Sequence, residues 1–156
     1  MSRGIQLVLA VAIVFVLAAC NRSVFFEEYK SIEQSQWHKD SVQVFTITVN
    51  DTLKNYNMFL NVRNDIDYTY SNLWLFVSIE QPDGKSIDDK FEVALADPTG
   101  KWLGKGFSGL KTREAIYRRN VFFPISGEYK IRIQQGMRED ILGGITDVGI
   151  RLEKVK

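Results

Sequence analysis

The chain has 156 residues, 45% of them hydrophobic and 25% charged, with one cysteine and one histidine. Its 20 Lys plus Arg nearly balance its 19 Asp plus Glu, so no long-range field draws it towards nucleic acid or an anionic lipid surface. A lone cysteine forms no internal disulfide, and a lone histidine without a partner thiol leaves no ligand set for zinc or copper and no Cys–His nucleophile.

Residues 1–20 fall into three regions. Met1-Ser2-Arg3 is short and carries one positive charge, residues 5–17 are apolar apart from Gln6, and Leu17-Ala18-Ala19-Cys20 closes the run. Charged start, apolar middle and small residues at the end are the layout of a secretory signal peptide. The apolar run is shorter than the roughly 20 residues a membrane-spanning helix needs. Leu-Ala-Ala-Cys resembles a bacterial lipobox, which implies cleavage between Ala19 and Cys20 and acyl chains on Cys20. Each buried methylene contributes about 0.8 kcal/mol, so several chains on one residue make an anchor that hardly dissociates. The expected organisation is a signal peptide over 1–19, a lipidated cysteine with a short tether over 20–23, and one domain over 24–156. Removal of Arg3 with the leader leaves 19 basic against 19 acidic side chains. The domain has to hold without disulfides.

Residues 24–32 (VFFEEYKSI) begin the ordered part, and Gln34-Ser35-Gln36 reads as a loop before Trp37-His38-Lys39-Asp40. Residues 42–50 (VQVFTITVN) are rich in β-branched side chains and read as a strand. In residues 56–63 (YNMFLNVR), Tyr56, Met58, Leu60 and Val62 share one face, against Asn57, Phe59, Asn61 and Arg63 on the other. This is the period-two pattern of a half-buried strand. Residues 73–80 (LWLFVSIE) put Leu73, Leu75, Val77 and Ile79 on one face and Trp74 and Phe76 on the second, which predicts a strand near the sheet centre; Trp37 and Trp74, unlike Trp102, read as core. Gln81-Pro82-Asp83-Gly84 and Asp97-Pro98-Thr99-Gly100 are turns. Between them Phe91, Val93 and Leu95 alternate with Glu92 and Ala94. Residues 108–119 are the best helical candidate, although Ile116 and Tyr117 fit a strand equally well, and residues 114–123 continue as an extended segment that Pro124 ends. Residues 128–135 (EYKIRIQQ) turn Tyr129, Ile131 and Ile133 inward. Residues 145–155 form the last strand, with Val148, Ile150 and Leu152 buried. About seven or eight short strands, no sustained helix and no long crossover predict an all-β antiparallel sandwich, immunoglobulin-like or jelly-roll.

The chemistry-bearing residues are sparse. His38 has no serine in a nucleophile elbow to serve, so it reads as a surface or partly packed histidine. The carboxylate pairs do not match a calcium-loop spacing, and Asp65 and Asp67 in Asn64-Asp65-Ile66-Asp67 are the densest oxygen cluster. Lys101-Trp102-Leu103-Gly104-Lys105-Gly106-Phe107 is glycine-rich, but no helix follows it to complete a phosphate cradle. Trp102 reads first as a plug at one end of the sandwich and second as an exposed stacking residue for a sugar or a protein partner. Trp102, Asp65, Asp67 and Arg138 are the interaction candidates. No catalytic residue, metal site or cofactor is expected.

The phrases EYK (28–30), WHKDSV (37–42), YNMFLNVRN (56–64), DYTYSNLWLFV (67–77), KWLGKGF (101–107), VFFPISGEYKIRIQQGMR (121–138) and LGGITDVGIRLEK (142–154), together behind a lipobox, resemble the gliding motility lipoprotein GldH family of the Bacteroidetes. The resemblance implies a non-catalytic lipoprotein of the cell envelope, needed for gliding and linked to type IX secretion, with Cys20 the one functional position to carry over. Its implied partners are the membrane, through acyl chains on Cys20, and other gliding or secretion proteins; no nucleic acid and no small-molecule substrate is implied. Asn21-Arg22-Ser23 lacks an acidic surface-sorting run, which favours a periplasm-facing position. The alternative function is a lipid-anchored glycan-binding sandwich that uses Trp102.

Overall fold

Alternation of apolar with polar residues turns nearly every segment behind the tether into a strand. The computed structural model describes residues 23–155, so the expected signal peptide, the Ala19–Cys20 cleavage position and the lipidation of Cys20 lie outside the described residues. The strands are β1 (Val24–Ser31), β2 (Gln36–His38), β3 (Gln43–Val49), β4 (Asn55–Asp65), β5 (Asn72–Glu80), β6 (Ser86–Ala94), β7 (Leu110–Phe122), β8 (Gly127–Gln135), β9 (Ile141–Gly143) and β10 (Ile145–Lys154), with a short 3₁₀ turn over Glu33–Ser35.

The pairing is nested. β1 pairs with β10, β2 with β9, β3 with β8, β4 with β7 and β5 with β6, all antiparallel. The chain is thus one long two-stranded ribbon, closed at the β5–β6 hairpin and wound on itself. Winding adds two further pairings, β10 with β4 and β5 with β8. Two four-stranded sheets result, ordered β1-β10-β4-β7 and β3-β8-β5-β6, with the β2-β9 ribbon as a third, small sheet. This is the jelly-roll member of the two sandwich types expected.

The core lies between the sheets and comes from the alternating faces. Tyr56, Met58, Leu60 and Val62 of β4 face Leu73, Leu75 and Val77 of β5 and Ile131 and Ile133 of β8, all at most 1% exposed. Val148, Ile150 and Leu152 of β10 complete one wall. Trp37 on β2 is fully buried and donates from its indole N–H to the Ser41 carbonyl at 2.8 Å, which satisfies the one polar atom that such burial would otherwise strand.

Two sequence expectations need correction. Residues 108–119 form no helix: residues 110–122 are strand β7, because β4 offers it a full antiparallel partner and tertiary pairing overrides a weak helical pattern. Trp74 is half-exposed rather than core. It stands between Leu73 and Leu75, both 0% exposed, so the pleat turns it to the outside of the sheet.

The winding gives the sandwich two poles. At one, the chain enters: the Lys154 amide donates to the Ser23 carbonyl (2.7 Å), the Val155 amide donates to the Asn55 carbonyl (2.9 Å), and Asn55 is opposite Phe122. The turns at 50–54, 81–85 and 123–126 belong to this tether pole. The loops at 31–42, 65–71, 95–109 and 136–144 belong to the opposite, distal pole.

Candidate functional site

The loops of the distal pole are built by local hydrogen bonds. Asp97 Oδ1 accepts from the Thr99 amide (2.8 Å), the Thr99 hydroxyl (2.7 Å) and the Lys101 amide (3.0 Å). These bonds, the Thr99 hydroxyl foremost, hold the Asp97 carboxyl below its ordinary range. The closed turn delivers Trp102 into a bridge with Ala96, and its ring packs, half-buried, against the end of the core. Asp65 caps the end of β4: its Oδ1 accepts from the Asp67 amide (3.0 Å), and the Asn64 side-chain amide donates to the Asp65 carbonyl (2.8 Å). The densest oxygen cluster in the sequence is therefore a turn that uses its own polar groups. Among the described residues no group of three His, Cys, Asp or Glu is arranged to hold a metal ion.

Arg138 is exposed on the lip of a groove of about 440 Å³ that Tyr70, Asn72, Trp74, Lys90 and Met137 also line. Strand pairing fixes its floor. The Gly136 amide donates to the Trp74 carbonyl at 2.7 Å, and the Trp74 amide lies 3.3 Å from Met137 Sδ. Gln135, 2% exposed, pins the adjoining turn by donating to the Glu139 carbonyl and accepting from the Met137 amide, both at 2.8 Å. The Lys90 ammonium sits 4.6 Å from the centre of the Trp74 ring. The Tyr70 hydroxyl donates to the Glu139 carboxylate, and that bond, more than partial burial, raises the phenol's pKa.

All four interaction candidates thus reach the distal pole, but no ion pair or side-chain hydrogen bond joins Trp102 or Arg138 to Asp65 or Asp67 among the described residues. What the pole presents most openly is an apolar residue that sequence reasoning passed over. Phe107 is 93% exposed at the tip of the 95–109 loop, with Ile66, Leu103 and Leu110 also exposed nearby in the chain path. Ile66 reaches the same loop, since a Cβ built on Gly109 would lie 3.8 Å from its Cδ1. The loop backbone beside Phe107 is closely packed. Gly106 has φ of +153°, and a Cβ there would come within 2.2 Å of the Leu110 carbonyl oxygen. Lys111 Nζ donates to the Gly106 carbonyl at 3.0 Å. The signal for this was present in Gly104-Lys105-Gly106-Phe107-Ser108-Gly109, where glycine and serine leave an aromatic with no strand to bury it.

The arrangement offers contact surfaces: an aromatic tip, an aromatic–cation groove and an exposed guanidinium. His38 lies apart on β2, its Nδ1 accepting from the Asp40 amide at 3.2 Å, and among the described residues no serine hydroxyl is hydrogen-bonded to its imidazole.

Comparison with known proteins agrees in direction. The family model for the GldH lipoprotein matches residues 24–152. A gliding motility lipoprotein GldH homolog from Christiangramia forsetii is 43% identical over 148 residues, 90% of each chain. The gliding motility lipoprotein GldH of Flavobacterium johnsoniae is 41% identical, covering 97% of this chain and 95% of its own. Among solved structures, the insecticidal δ-endotoxin Cry8Ea1 of Bacillus thuringiensis matches 78% of this chain and 19% of its own at TM-score 0.44 and 12% identity. A GH115 4-O-methyl-α-glucuronidase matches 88% and 18% at TM-score 0.44 and 10% identity. On the family match and the two relatives, the chain belongs to the GldH family of gliding motility lipoproteins.

Proposed function

We propose that this lipid-anchored cell-envelope protein acts by binding other proteins of the gliding and type IX secretion machinery, without catalysis, and that it does so through the loops of its distal pole. Acyl chains on Cys20 hold the opposite pole at the membrane, and the body faces the periplasm. Family membership supports a motility lipoprotein of the envelope. The single observation that carries the rest is Phe107, 93% exposed on a loop whose backbone is locked, at the pole farthest from the tether. An exposed, desolvatable aromatic at a pole that also presents Ile66, Leu103 and Leu110 is the kind of residue that anchors a protein interface.

The test is capture from detergent-solubilised envelopes with the tagged full chain as bait. Gliding or secretion components are expected in the eluate. Phe107→Asp is expected to lose them while leaving the melting point within about a degree, as surface substitutions usually do. An eluate free of such components under mild detergent overturns the reading. Cys20→Ser is expected to abolish incorporation of labelled palmitate; continued labelling would remove the anchor from the account.

A second reading has its own observation. The Trp74 groove, with Lys90, Asn72 and Arg138 on its walls, supports a glycan-binding module better than half-buried Trp102 does. Glycan-array binding lost in Trp74→Ala would favour it, and a flat array from folded protein would retire it.

A further inference from the structure

We infer that the tether pole is a membrane-seating face: Leu53, Phe122 and a rim of Lys54, Arg119 and Lys154 rest on the phospholipid surface and set the body upright. The inference rests on acylation of Cys20. Two residues, Asn21 and Arg22, separate Cys20 from Ser23, so the three steps between them span at most about 11 Å. Ser23 is tied to Lys154, and Lys154 is followed by Val155, tied to Asn55. Ser23 therefore stands on this pole, and the chain between it and Cys20 is too short to hold the pole far from the lipid.

The side chains there suit that neighbour. Leu53, at the tip of the 50–54 turn, is 91% exposed, and Phe122 is 62% exposed. The turn is no frayed end, because Asp51 Oδ1 accepts from the Leu53 amide at 2.9 Å. Phe122 is aimed by a bulge. Tyr56 is opposite Val121 and Met58 is opposite Arg118, so Arg119 and Asn120 on β7 face the single residue Asn57 on β4, one residue too many. Asn120 takes a φ of 55°, and two asparagines lock it: Asn55 Nδ2 donates to Asn120 Oδ1 (3.0 Å), and the Asn120 amide donates to Asn57 Oδ1 (3.1 Å). Beyond the bulge Phe122 turns out while Phe123, 3% exposed, enters the core. A bulge held this way re-aims a side chain. Phe122 also walls a groove of about 610 Å³ with Ile87, Arg119, Val121 and Pro124, which mixes apolar surface with a guanidinium.

The charges divide in the same sense. Most acids at this pole are ion-paired: Asp83 with Lys85 (3.0 Å), Glu153 with Arg151 and Glu128 with Lys130 (4.0 Å), while Asp51 keeps its charge and bonds its own turn. Lys54, Arg119 and Lys154 form no ion pair with any described residue and outnumber Asp51, so this rim carries surplus positive charge on a chain whose charges nearly balance. Such charge acts only within a Debye length, about 8 Å at physiological salt, which the short tether already guarantees. Apolar tips flanked by basic side chains are the composition of surfaces that lie at the headgroup–acyl boundary. Seating here leaves Phe107 and the distal loops facing away from the bilayer.

The native tryptophans make the test clean, because Trp37, Trp74 and Trp102 all belong to the distal half. The acylated full chain is reconstituted into vesicles of phosphatidylcholine with a minority of phosphatidylglycerol, part of the phosphatidylcholine carrying bromine on its acyl chains. In Phe122→Trp and Leu53→Trp the added emission is expected to be mostly quenched, with less quenching once phosphatidylglycerol is omitted. Emission of the wild type and of Phe107→Trp is expected to be unchanged. Protein that floats with the vesicles while positions 122 and 53 quench no more than position 107 overturns the seating alone. Protein that fails to float overturns the anchor, and the seating with it.

Discussion

Tyr29 on β1 stands opposite Gly149 on β10, and Gly149 stands opposite Asn61 on β4. The phenol ring lies across the glycine, where a Cβ would fall 2.7 Å from its Cδ1, and its hydroxyl accepts from Asn61 Nδ2 at 3.0 Å. The Arg63 guanidinium stacks on the ring, 4.0 Å from its centre. Three strands are thus stapled across the outer face of a sheet, and Asn61, which the alternation puts outside, is 0% exposed. Its Oδ1 has no hydrogen-bond partner among the described residues, so its amide depends on Tyr29. Tyr29→Phe is expected to cost about 1–2 kcal/mol, the penalty for a buried donor left unpaired, measured by chemical denaturation; no loss would show that the hydroxyl contributes nothing. Tyr117 sets a pH limit. Desolvation, reinforced by Asp89, outweighs the Arg118 charge and pushes its phenol up to about 12. A folded value above the unfolded value of 10.0 gives stability that is complete below that pH and is lost as pH rises through the folded value. The melting point is therefore expected to fall between pH 10.0 and about 12, and to fall less steeply in Tyr117→Phe. Identical slopes in the two proteins would rule out Tyr117 as the titrating group.

Among the strands, β4 and β8 show what strict alternation specifies. Leu60 and Ile131 are both 0% exposed and face the core from opposite sheets. An aspartate at either site forfeits about 1.5–3 kcal/mol of burial and adds several more for an unpaired buried charge. Against a typical stability of about 5–15 kcal/mol, that is enough to unfold the domain. Leu60→Asp and Ile131→Asp are expected to abolish the cooperative thermal transition, and an unchanged midpoint in both would refute the inward face. The parity that identifies Leu60 also identifies Trp74 as outward, since it sits between two core leucines; reading it by bulk instead of position put it in the core. Strand β7 was ambiguous for a different reason. Its burial pattern is mostly intermediate, without the clean two-residue period of β8, and only its pairing with β4 decides it. β2 and β9 have three residues each, too few for any period to register. The distal pole was legible in its parts, because Trp102, Asp65, Asp67 and Arg138 all belong to it. Its most exposed member, Phe107, left only the glycine–serine composition of its loop as a signal, because exposure at a loop tip follows from the local backbone and not from any repeat.

For the molecule as a whole, the nested ribbon orders the cost of chain closure. The β5–β6 hairpin joins neighbours through Gln81-Pro82-Asp83-Gly84-Lys85, closed by the Gln81 amide donating to the Lys85 carbonyl at 2.8 Å. Each pair further out, β4–β7, β3–β8, β2–β9 and β1–β10, closes a longer loop, and β1–β10 joins Val24 to Glu153. Loop-closure entropy grows with length, and each inner pair shortens the effective loop of the next. Folding is therefore expected to start at the inner hairpin and proceed outward, slowly for a domain of this size because most pairings are non-local. Leu75 on β5 and Leu152 on β10 are both fully buried, so truncating either to alanine costs about 2–5 kcal/mol, well above the threshold for a reliable φ-value. Leu75→Ala is expected mainly to slow refolding, and Leu152→Ala mainly to speed unfolding, as read from the two arms of a denaturant chevron. The reverse assignment would mean that the terminal strands pair first, with the tethered end of the chain acting as the nucleus instead of the last piece to dock.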